Sequence, residues 1–107
     1  MADEVARKFE IELPPEVIEG RFADFANVWH TPDVFVMDFV SLARPPQEGH
    51  DEDGTPVMHV PARVVSRVRI PPQQVFELAK ALTQQLEFWE QETGKRPQRP
   101  LNPDGLG

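Results

Sequence analysis

A chain of 107 residues is the size of one domain, and 39% hydrophobic residues beside 12 prolines allow one modest core with Pro-rich loops or tails. Its net charge of −7 disfavours an unspecific grip on phosphate backbones, because that affinity comes from Lys and Arg. Without cysteine there is no disulfide, thiolate nucleophile or Cys-based zinc site. The opening residues lack the apolar stretch of a signal peptide, and no run approaches the ~20 apolar residues that span a bilayer. The expected compartment is the cytoplasm, without membrane contact.

Residues 1–7 are polar and read as a flexible N-terminus, with the domain over 8–94. Phe9, Ile11 and Leu13 alternate with Lys8, Glu10 and Glu12, which predicts a half-buried strand stopped by Pro14-Pro15. Residues 16–20 read as a turn or one helical turn. A second strand is predicted over Arg21–His30, with Phe25, Asn27 and Trp29 on one face and Phe22, Asp24, Ala26 and Val28 on the other. Thr31-Pro32-Asp33 is a turn signal. A third strand, Val34–Ala43, is apolar on both faces and so reads as central. The short link before it implies an antiparallel hairpin with the second.

Arg44–Pro56 is Pro-, Gly- and acid-rich and reads as a loop, with its acidic part at 47–54. Val57–Ile70 reads as a fourth strand, interrupted at Pro61. Its even positions (Ala62, Val64, Ser66, Val68, Ile70) face inward; its odd positions (Arg63, Val65, Arg67, Arg69) form a basic face. Pro71-Pro72 starts a helix over Gln73–Thr93, ~30 Å long at 1.5 Å per residue. Val75, Ala79, Leu82, Leu86 and Trp89 make one apolar stripe on it. Gly94 suits its C-cap, Lys95-Arg96 suit its negative end, and residues 95–107 read as a Pro-rich disordered tail.

Strands in a run followed by a helix imply an α+β fold: an antiparallel sheet of about four strands, then one long C-terminal helix packed on one face. The second face keeps part of the Phe, Val and Met set. A bare apolar face marks an interaction surface, which makes a homodimer the expected state.

The chemistry-bearing residues form no recognisable catalytic pattern. His30, His50 and His59 include no i,i+4 pair, and the acidic stretch His50–Gly54 lacks the twelve-residue calcium pattern, so it reads as solvated. No Gly-flanked serine makes a nucleophile elbow. No catalytic, cofactor-binding or metal residue is therefore assigned, no cofactor is expected, and the chain reads as a non-enzyme.

Asp38 sits within the apolar third strand and needs a partner there, which Arg67 or Arg69 can supply from a neighbouring strand. A structural Asp38–Arg67 pair fixing register is the favoured reading, and a catalytic acid the lesser one. Arg63, Arg67 and Arg69 read as charge protecting an edge strand, or as a grip on nucleic acid or an acidic protein. Phe88 lies opposite the helix stripe and is a candidate contact for a second subunit or another partner.

Together, Phe22-Ala23-Asp24-Phe25, the run from His30 to Phe39, Arg67–Pro72, and Leu82, Trp89, Glu90 and Gly94 resemble a small bacterial and archaeal family. It is known only as a domain of unknown function, the one numbered 3467. The resemblance covers about Phe9 to Gly94 and implies a compact sheet-plus-helix domain with no activity assigned. Asp24, Val34, Gln85 and Phe88 depart from its usual residues. The strand-then-helix order is also similar in architecture to SecB-like export chaperones, a likeness of fold alone.

These expectations converge on a protein-interaction module: a homo-oligomer presenting a sheet face or helix surface to another protein. Nucleic-acid binding through Arg63, Arg67 and Arg69, or a SecB-like chaperone role, are the alternatives.

Overall fold

A computed structural model of the chain describes residues 5–96. The expected tail from residue 97 on, and residues 1–4 of the expected flexible N-terminus, lie outside the described residues. The class is α+β: β1 (Phe25–His30), β2 (Phe35–Leu42), β3 (Gln47–His50), β4 (Pro56–His59) and β5 (Ala62–Ile70) precede α1 (Pro72–Thr93). The strands form two antiparallel sheets, one ordered β1-β2-β5 and the other a β3-β4 hairpin.

β2 is the middle strand, as its two apolar faces predict. Val36, Asp38 and Val40 are buried along one side of it, and Val36 is only 1% exposed. β1 folds back on β2 through a turn in which the Thr31 hydroxyl oxygen accepts the backbone N–H groups of Asp33 and Val34, both at 3.2 Å.

Four expectations need correction. Lys8–Leu13 forms no strand, and its apolar side chains are open to solvent, Ile11 at 91%. Alternation shows that a segment can line a sheet edge, but among the described residues no edge receives it.

The stretch read as a loop contains β3, and the predicted fourth strand is two strands broken at Val60-Pro61. The hairpin depends on its turn. Asp51 Oδ1 accepts the N–H groups of Asp53 and Thr55 at 2.9 Å, and Gly54 takes a φ of 80° that favours glycine.

A third correction concerns β5. Phe39 pairs with Ser66 but Val40 pairs with Val64, so Val65 is an extra residue, a β-bulge. The bulge reverses the phase of the strand before it, and Arg63 pairs with Ser41.

The fourth concerns α1. It begins at Pro72 and ends as expected, with Gly94 at φ 70° and its N–H bonded to Glu90 O at 2.8 Å. No residue of it is buried, however, so it does not close over a sheet face. Val75 and Leu78 are half-buried, while Leu82 is 63% exposed and Leu86 and Trp89 are also exposed.

Among the described residues, Val36 is the largest side chain that is fully buried. Val36→Ala is expected to destabilise the fold by about 2 kcal/mol through lost burial and the remaining cavity. Urea unfolding at fixed protein concentration measures this; an unchanged midpoint would contradict the central place given to β2.

Candidate functional site

The register of the three-stranded sheet places Asn27, Asp38 and Arg67 in one row across β1, β2 and β5. The adjacent row is Trp29, Val36 and Arg69. Residues paired across a ladder share a face, so Trp29, Asp38, Arg67 and Arg69 stand together. Phe25 joins them through its pairing with Val40.

Asp38 is the only buried charged residue among those described. Its Oδ1 accepts Arg67 Nε–H at 2.5 Å, and its Oδ2 accepts Arg67 Nη2–H at 2.9 Å. Trp29 Nε1–H adds a longer bond to Oδ2 at 3.4 Å. This is the two-pronged geometry that suits a guanidinium and that a lysine cannot reproduce. The Arg67 side chain remains 48% exposed, and its guanidinium carbon lies 5.6 Å from the centre of the Trp29 ring, a cation–π contact.

The Arg67 hydrogen bonds hold the Asp38 carboxyl below its ordinary pKa; burial opposes this, while the Trp29 bond and the charges of Arg67 and Arg69 add to the lowering. A carboxylate with both oxygens engaged and a lowered pKa suits a structural tie rather than a proton donor. Among the described residues, no buried side-chain polar atom lacks a hydrogen-bond partner.

The other predicted residues are dispersed. The phase reversal at Val65 puts Arg63 on the opposite face from Arg67 and Arg69, which breaks the expected three-arginine stripe. Phe88 is exposed on α1. His30 stacks on Phe35 at 5.2 Å, and His59 crowds Gly49 within the hairpin, where a Cβ at Gly49 would meet the ring at 2.5 Å. The described residues contain no group of three or more His, Cys, Asp or Glu that could hold a metal ion.

Two features escaped sequence reasoning. Asp24, a departure from the resembled family, accepts the Leu42 N–H at 2.7 Å and donates its own N–H to Val40 O at 2.8 Å, tying off the end of the β1-β2 ladder. The oxygen of an asparagine at this position would accept the same bond. On the sheet's second face, residues 16–23 border a cavity of about 530 Å³ with Phe39, Val65, Ser66 and Val68. Pro15 just before that stretch and Gly20 within it announce a turn, but no periodicity indicates where it lies.

The tie gives a pH prediction. A lowered folded pKa contributes stability above the unfolded carboxyl value of about 4 and loses it as pH falls through the folded value. Urea midpoints taken from about pH 5 to pH 2 should therefore fall steeply for the native chain. For Asp38→Asn the midpoint should start lower and fall less; parallel curves would remove the tie from the account.

Against known proteins, the chain matches over residues 1–96 the family described as a protein of unknown function (DUF3467). No curated protein and no solved structure matches it. The match spans all of the described residues and agrees with the resemblance carried by the β1-β2 hairpin and the β5-α1 junction: the chain belongs to the DUF3467 family.

Proposed function

We propose that this chain is a non-enzymatic, cytoplasmic protein-interaction module that self-associates, as a homodimer in the simplest case, and presents a sheet face or helix surface to a protein partner. The observation carrying this reading is the bare stripe of α1. Two hydrophobic side chains are buried in the described chain, Val36 and Val40, while Leu82, Leu86 and Trp89 lie open along one side of a 22-residue helix. Helices in water depend mainly on packing an apolar face, and a contiguous bare patch usually marks a contact site. The dispersal of the histidines and the occupied Asp38 carboxylate support binding over catalysis. No helix among the described residues is long and apolar enough to cross a membrane.

Nucleic-acid binding is a second reading. It is favoured by Trp29 and Phe25 sharing a face with Arg67 and Arg69, because sheets that bind RNA stack bases on aromatic rings. It is weakened by the separation of Arg63 and by Arg67 already covering Trp29.

Sedimentation at micromolar concentration is expected to give a self-associated species. Leu82→Glu with Leu86→Glu should weaken association by at least roughly a hundredfold, since each leucine buried contributes ~1.5–3 kcal/mol and ~1.4 kcal/mol is tenfold. A native chain that sediments as a monomer overturns the proposal. Oligonucleotide binding at low salt that fades as salt rises would favour the second reading instead.

A further inference from the structure

We infer that the segment Phe9–Leu13 of one chain adds as a strand to the outer edge of β5 in a second copy. The inference rests on the self-association proposed above and adds to the α1 stripe a second pair of surfaces that meet.

Phe9, Ile11 and Leu13 are exposed and alternate with Lys8, Glu10 and Glu12, yet the segment has no strand partner. Pro14 has φ −59° and ψ 146°, the stiff polyproline geometry, and begins a Pro-Pro step that resists a tight return onto the chain's own sheet. β5, meanwhile, is the last strand of its sheet. Such an edge offers a row of backbone N–H and C=O groups to an added strand.

The side chains match in phase as well. Beyond the bulge, β5 alternates Ser66, Val68 and Ile70 on one face with Arg67 and Arg69 on the other. The segment alternates three apolar residues with two glutamates. An antiparallel addition with Ile11 opposite Val68 sets Phe9 on Ile70, Glu10 on Arg69 and Glu12 on Arg67. Apolar then meets apolar on one face, and opposite charges meet on the other. Arg67 is committed to Asp38, so the Glu10–Arg69 pair carries most of the charge match. Antiparallel pairing continues the sense of the sheet it joins.

The absence of native cysteine gives a direct test. Ile11→Cys and Val68→Cys change exposed side chains outside the buried core. Mixed in equal amounts and gently oxidised, the two single variants should form a disulfide-linked heterodimer in preference to either linked homodimer, at twice the chain mass on a non-reducing gel. Arg69→Glu in an otherwise native chain should weaken association about tenfold, and adding Glu10→Arg should restore it. If the double cysteine variant closes as a monomer with no free thiol, the segment pairs with its own sheet and the inference falls. No heterodimer link, in a native chain that still self-associates, overturns strand addition and leaves the interaction module standing. A native chain that is monomeric overturns both.

Discussion

The three-stranded sheet depends on how it accommodates one charge. Asp38 lies in the middle of its central strand, where a carboxylate without a partner would be disfavoured or take up a proton. One pairing register puts Arg67 opposite it with both prongs engaged and brings Trp29 within reach. A slip of one residue would turn Asp38 to the other face and leave Arg67 without its anion. The tie therefore specifies alignment more than it supplies net stability, since buried ion pairs often gain little over apolar contacts. The bulge at Val65 works with it, because the ladder stays regular from Ser66 to Ile70 and takes up its irregularity just outside the tie.

Around this ordered centre, the chain leaves much unfinished. α1 has a well-formed C-cap and a coherent stripe, but none of its residues is fully buried. The segment before Pro14 alternates like a strand but joins no ladder among the described residues. Two independent elements, one helical in period and one strand-like, thus show the same imbalance between pattern and burial. In a folded domain, patterns of this kind are normally satisfied, and this imbalance is the ground on which the proposed self-association rests.

What was legible in the sequence follows the same division. β2, the β1-β2 hairpin and α1 were readable because period and length are local properties of the chain. The need for a partner at Asp38 was readable because burial of a carboxylate carries that need wherever it occurs. The β3-β4 hairpin was not, since Gln47–His50 carries no apolar alternation and its pairing rests on the Asp51 turn. The bulge was hidden because Val64 and Val65 are interchangeable to any hydrophobic pattern, although their offset sends Arg63 away from Arg67 and Arg69. The stripe on α1 showed that something should cover the helix, which is different from showing that the sheet does.

The bulge also acts as a ruler. A strand laid along β5 keeps its side chains in step only between Ser66 and Ile70; towards Ala62 the pleat changes phase and every inward residue would turn outward. Only a short visitor fits this window, and one that is followed at once by two prolines, as Phe9–Leu13 is, has little backbone left with which to extend the ladder. An edge of this kind can accept one partner while giving little purchase to the indefinite stacking that makes bare strands prone to fibrils.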